Sequence, residues 1–191
     1  MKIKIVLFFT YGVSLKTWAE TGLLQREIKL YQELIKHYGV KVTFLTYGDS
    51  TDREWENELG NIQLLPIYER LARPKSKIFR FLQSFIIPFY FWKKLIKSDL
   101  FKTNQILGSW VAVVSKIIHK KPLLVRCGYE AYKNSMQTGN RKLFHYLIWF
   151  FSIMAYKCAD HIWLNSKEMA LFVKKTFSIK PHKITVAQNW I

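Results

Sequence analysis

Five consecutive residues, Arg126-Cys127-Gly128-Tyr129-Glu130, bring together a cation, a permissive backbone position, a phenol and a carboxylate. Such an arginine could bind an anionic acceptor, and Glu130 could take a proton from a hydroxyl within hydrogen-bond reach. The structural alternative is a carboxylate neutralised by Arg126 or a nearby lysine. Glu130 draws interest because it and Asp99 are the only two acids between residues 70 and 159. A second group lies in YGVSLKTWAETG, where Gly12, Ser14 and Lys16 precede a helix. Glycine lets a backbone approach a ligand, and free N–H groups at a helix start favour phosphate. The plain alternative is a strand-to-helix loop with a surface lysine. The loop lacks GxGxxG, which argues against a conventional dinucleotide site. The five histidines are scattered, and Cys127 and Cys158 have no metal spacing, so no metal cofactor is expected. GxSxG is absent as well, against an α/β-hydrolase. The run Asp52, Glu54, Glu56, Glu58 reads as a solvated face.

The elements that must position these groups alternate between strand and helix. KIKIVLFF is a short apolar run leading into TYG, not into a cleavage site, and reads as a first strand, not a signal peptide. Thr17 and Glu20 suit a capping box. Leu24, Ile28, Tyr31, Ile35 and Tyr38 mark one face of a helix that Gly39 ends. VKVTFLTYG, IQLLPI, NQIL, PLLVRCG, HIWLNS and KITVA read as further strands. Helices are expected over 76–97, with a break at Pro88, over WVAVVSKIIHK, over 141–158, and over KEMALFVKKTF behind a capping box of Asn165 and Glu168. The expectation is therefore a Rossmann-like parallel sheet of about seven strands with helices on both faces, filling residues 1–188. In such sheets function gathers at the carboxyl ends of strands. Tyr11-Gly12, Gly108-Ser109, Arg126 to Glu130, Asn165-Ser166 and Gln188-Asn189-Trp190 would all lie there, together with Tyr47-Gly48-Asp49.

Charge narrows the choice of partner. The chain of 191 residues has a net charge of +17, yet residues 1–69 carry 8 basic and 9 acidic side chains. Residues 70–159 carry 17 basic side chains against two acids, so the excess is local and attracts an anion. IFRFLQSFIIPFYFWKKLIK sits among Arg70, Arg73, Lys75, Lys77, Arg80, Lys93, Lys94 and Lys97, with no acid from 70 to 97. Aromatic residues flanked by basic ones suit a helix lying in an anionic headgroup layer. The apolar runs are too short or interrupted to span a bilayer, which takes about 20 residues. The second aromatic segment, 143–156, is apolar almost all round and reads as core. Charge alone also admits nucleic acid, but no helix-turn-helix, RRM or zinc module is present, so no nucleic-acid partner is expected.

Taken together, KIKIVLFFTYGVSLKTW, KPLLVRCGYE and ADHIWLNSKEMALFV followed by KITVAQNWI resemble the N-terminal half of GT-B glycosyltransferases, family 4 in particular. The resemblance spans essentially the whole chain. It implies an acceptor-binding half of an enzyme that moves a sugar from a nucleotide-sugar to a lipid-linked or polysaccharide hydroxyl. Transfer with retained configuration, no metal, and a peripheral position at the cytoplasmic membrane face are further implications. Gly12, Ser14 and Lys16 would then lie near the donor phosphates. Tyr11, Gly108, Ser109, Arg126, Gly128 and Tyr129 would lie by the acceptor, with Glu130 as the candidate base. Residues 189–191 would begin the linker to a donor domain. Nothing here matches that domain's paired-glutamate motif, so it would belong to a longer chain or a partner subunit, leaving this chain inactive alone. The alternative is a non-catalytic subunit that recruits a split transferase to the membrane.

Overall fold

The computed structural model describes residues 2–137 and 142–187. Arg141, the residues Gln188-Asn189-Trp190 and the expected linker at 189–191 lie outside the described residues. Strands β1 (Lys4–Phe8), β2 (Lys41–Thr46), β3 (Gln63–Pro66), β4 (Leu100–Thr103), β5 (Leu123–Cys127), β6 (His161–Leu164) and β7 (Ile184–Val186) form one sheet. Their order is β3-β2-β1-β4-β5-β6-β7, and every neighbouring pair is parallel. The sheet grows one way from β1 to β3 and the other way from β4 to β7. The reversal places a topological switch point between β1 and β4.

Helices α1 (Leu15–Glu20), α2 (Leu24–Tyr38) and α3 (Glu56–Leu59) serve the β1-to-β3 half. The chain then passes through α4 (Lys77–Ser84), α5 (Ile87–Tyr90) and α6 (Trp92–Leu95) to reach β4. Helices α7 (Ser109–His119), α8 (Ala131–Gln137), α9 (Lys142–Cys158) and α10 (Lys167–Phe177) complete the β4-to-β7 half. Alternation along the strands sends side chains to two cores. Ile5, Leu7, Val42 and Phe44 pack with Leu15, Trp18, Ile28 and Tyr31. Val6, Phe8, Phe101, Val125 and Ile162 pack with Ile87, Trp110, Tyr156 and Phe177 on the other face. Gly39 ends α2 at φ 61°, the left-handed conformation that glycine adopts freely.

Several local expectations are corrected. NQIL is not a strand: β4 is LFKT, because Phe101 and Thr103 face the core while Lys102 breaks the apolar pattern that would mark the strand. Ser14, not Thr17, caps the first helix, and Thr17 is its partner in the capping box. Ser166 caps α10 by accepting from the Met169 N–H, which leaves Asn165 for another task. Residues 76–97 form three short helices, and Pro88 lies in the first turn of α5, where its missing N–H costs nothing. Asp52 is fully buried. The long helix α9 is only partly core: Ile148, Ser152, Ala155 and Tyr156 are buried, but Phe144, Tyr146 and Phe150 are at least half exposed.

Candidate functional site

The switch point is built by two loops in contact. Tyr11 donates its backbone N–H to the Leu107 carbonyl at 3.0 Å. Gly108 sits at φ +96°, and a Cβ there would lie 2.6 Å from the Tyr11 nitrogen. Only glycine lets the β4 loop come this close to the β1 loop. Ser109, the first residue of α7, is fully buried, and its Oγ has no partner among the described residues. Above this contact Tyr11 packs against Tyr47 and Trp110, with ring centroids 5.2 Å away in each case. Tyr68 extends the cluster, and Arg73 lies over its ring at 5.3 Å. Burial raises the Tyr11 hydroxyl above its usual value, while the nearby Arg80 guanidinium pulls it back. The carboxyl ends of β1, β2 and β3 therefore present phenol groups under two arginines.

The loop expected to meet phosphate is closed by the protein's own groups. Gly12 is exposed at φ +77° with open space around it. Ser14 Oγ accepts from the Thr17 N–H at 3.0 Å, and Asp52 Oδ1 accepts from the Lys16 N–H at 3.1 Å. Asp52 is anchored by the Thr46 hydroxyl at 2.6 Å, and Gly48 leaves room for its carboxylate. The Lys16 ammonium points to Glu20 at 3.9 Å. An internal carboxylate thus occupies part of the N-terminal N–H array that an external anion would use.

On the other side of the switch point, the loop after β5 is held from both flanks. Gln105 Oε1 accepts from the Gly128 and Tyr129 N–H groups at 3.1 and 3.2 Å. Asn165 donates to the Gly128 carbonyl at 2.7 Å. Tyr129 is left exposed at the rim. Arg126 lies beneath: its guanidinium meets Glu27 at 2.7 Å and Asn104 at 2.8 Å, and it stacks near Trp163. Gln105, Asn104, Tyr68 and Glu27 escaped the sequence reading. The first two were hidden in an apparent strand, and Glu27 is a single acid on a helix face whose partner is 99 positions away.

Glu130 is 2% exposed and is not the partner of Arg126. One oxygen accepts from the Lys133 N–H at 2.6 Å, capping α8, and the other from the Ser152 hydroxyl of α9 at 3.1 Å. Burial raises its carboxyl above the usual range, against the pull of these hydrogen bonds. Between the unfolded value, near 4.3, and the raised folded value, the native chain holds a proton that the unfolded chain has released. Stability therefore falls as pH rises through that window. Glu130→Gln is expected to lose this slope in urea melts between pH 4 and 8 while remaining at least as stable at pH 7. A loss above about 1 kcal/mol at every pH would show that the carboxylate itself is required.

A strip of exposed apolar residues starts next to this site. Phe81 of α4 contacts Tyr11, Trp110 and Phe151, so it joins the site to α9. Outward from it, Ile78, Phe79, Leu82, Ile86, Phe89 and Tyr90 are each more than half exposed. Among the described residues, no helix is long and apolar enough to cross a membrane.

Similar proteins give this geometry a context. A glycosyltransferase from Rickettsia africae shares 13% identity and superposes with a TM-score of 0.59, covering 98% of this chain and 43% of its own. Anabaena Alr3699/HepE, solved with UDP, shares 12% at 0.60, over 99% of this chain and 44% of its own. The lipopolysaccharide outer core galactosyltransferase WaaB shares 14% at 0.61, over 99% and 46%. The chain therefore spans less than half the length of these structures and has the fold of an N-terminal GT-B half. No curated protein matches the sequence significantly. The sequence profile of Glycosyltransferase Family 4 matches residues 28–191, and the chain belongs to that family.

Proposed function

We propose that this chain is the acceptor-binding half of a glycosyltransferase acting on a lipid-linked or polysaccharide acceptor at the cytoplasmic face of the membrane. A nucleotide-sugar would be held by a donor domain or partner subunit, with no metal required. Transfer would retain configuration, and this half alone would be inactive. The observation that carries the reading is the exposed aromatic strip beginning at Phe81, against the strand-end cluster of Tyr11, Tyr47 and Trp110. Arg70, Arg73, Lys75, Lys77, Arg80, Lys93, Lys94 and Lys97 lie along the same segment and suit anionic lipid. A lipid-linked acceptor entering from that surface would meet Tyr11 and Tyr129 at the rim, held in place by the close approach at Gly108. Gly12, Ser14 and Lys16 would face the donor across the cleft. Glu130 is enclosed, so the acceptor proton is better assigned to a group outside this half. Family membership supports the sugar-transfer chemistry, and WaaB, a lipopolysaccharide galactosyltransferase, fits an acceptor of this class.

The membrane part is tested by co-sedimentation. The chain is expected to pellet with phosphatidylglycerol-containing vesicles and not with phosphatidylcholine alone. Phe79→Ser/Phe89→Ser should weaken that binding by at least tenfold, given roughly 1.5–3 kcal/mol for each fully buried phenylalanine. Equal pelleting with both vesicles, or none, would remove the membrane reading.

A further inference from the structure

At the opposite end of the sheet from the strand-end site lies a second concave surface, a pocket of about 180 Å3. Lys4, Lys41 and Gln63 are the first residues of β1, β2 and β3, and all three line it. Thr43 lies further along β2, while Lys94 and Lys97 close over it from α6 and the turn that follows. Four lysines therefore line one cavity. Lys4 and Lys41 are register partners on adjacent parallel strands and face the same side. Like charges set opposite each other in this way destabilise a sheet. Among the described residues none of the four lysines makes an ion pair. Asp99, the carboxylate adjoining β4, accepts at Oδ2 from the Lys4 backbone N–H at 2.8 Å. The volume far exceeds the roughly 10–15 Å3 that one water needs.

We infer that this pocket binds a phosphate group, as a phosphate ester held by Lys4, Lys41, Lys94 and Lys97 with Thr43 and Gln63 supplying neutral hydrogen bonds. Lysines act on phosphate as point charges, so four of them around a cavity suit a compact, multiply charged oxyanion. Bound anion also relieves the Lys4–Lys41 repulsion, which gives the ligand a direct route to stabilising this end of the sheet. The site is separate from the strand-end crevice and does not rest on the transferase reading. Two sources present this chemistry, a phospholipid headgroup and a soluble phosphate ester. Lys94 and Lys97 continue the aromatic strip through Phe89 and Trp92, which brings the headgroup within reach.

The test uses the full chain with 15N labelling, titrated with inorganic phosphate at constant ionic strength and with chloride as control. Saturable shifts are expected at the Lys4, Lys41, Thr43 and Gln63 amides. They should vanish in Lys41→Gln/Lys97→Gln and persist in Lys174→Gln/Lys175→Gln, an equal charge change on exposed α10. Phosphatidylglycerol vesicles then identify the source. About thirtyfold weaker binding by the pocket pair, against less than threefold for the α10 pair, assigns the site to a lipid headgroup. Unchanged vesicle binding with the phosphate shifts intact assigns it to a soluble phosphate ester. Absence of saturable shifts, or equal effects of the two variant pairs, overturns the site and leaves only diffuse charge. Since wild-type titration needs neither vesicles nor sugar transfer, its failure is distinct from failure of the proposed function.

Discussion

Glu27→Leu is expected to destabilise the fold by about 3–5 kcal/mol, the usual cost of stripping one partner from a buried ion pair. For a chain of this size that lowers the melting temperature by roughly 10 °C. The cause is an imbalance of charge beneath the sheet's carboxyl ends. Arg126 and Lys102 are both buried, and Glu27 is the carboxylate bonded to Arg126 at 2.7 Å. Lys102 donates to the Tyr31 hydroxyl at 2.7 Å and lies over the rings of Tyr31 and Trp163. Burial first, then the Arg126 charge, push the Lys102 ammonium down to about 7, with Glu27 opposing the shift. A base whose folded value is depressed binds fewer protons in the native chain, so stability should rise with pH from about 7 towards the ordinary lysine range. Glu27→Leu removes the carboxylate that bonds Arg126 and that opposes the downward shift of Lys102. Glu27→Leu/Arg126→Met replaces the pair with apolar volume and should recover most of the loss. Urea denaturation of both variants checks this: equal losses in the single and double variants would show that packing, not charge, is at stake.

Gly108→Ala has the second large effect, and it reports on the site directly. An alanine at φ +96° is strained, and its Cβ would press on the Tyr11 backbone at 2.6 Å. The loops must separate, breaking the Tyr11-to-Leu107 hydrogen bond. A cost of about 2–4 kcal/mol follows from the strain and the lost bond together. In the complete transferase, displacing Tyr11 by an ångström should lower kcat/KM on the order of a hundredfold. Gly22→Ala is the control, because Gly22 also has a positive φ, +68°, but has nothing within 4 Å. It should cost about 1 kcal/mol and leave activity unchanged. If both variants lose activity alike, the close approach of the two loops is irrelevant to function.

The sheet was legible because its strands are continuous apolar runs between glycines and capping residues. KIVLF, KVTFLT and LLVRC needed no knowledge of their partners to be recognised. The fourth strand was not, since LFKT hides a lysine whose burial depends on Tyr31, 71 positions earlier. The same distance problem hid Glu27 and Gln105, whose partners are set by topology. Asp52 misled for a related reason: a run of alternating acids looks solvated, but one of them turns inward to Thr46 and the Lys16 N–H. The loops that hold Tyr11, Gly108 and Gly128 follow from position alone, because a parallel sheet dictates where its loops gather. What those residues do towards one another came only with the structure. Gly108 is there to admit Tyr11, and Gly128 lies between Gln105 and Asn165.

The central claim is that this half presents the acceptor in a sugar-transfer reaction. It is tested most directly by supplying the protein made from the whole native reading frame, with any partner subunit, with membranes and a panel of radiolabelled nucleotide-sugars. The account predicts label in the lipid or polysaccharide fraction with one of the donors, loss of that transfer in Gly108→Ala, and no transfer by residues 1–191 alone. Transfer by residues 1–191 alone, or no transfer from any nucleotide-sugar by the complete protein, would contradict it.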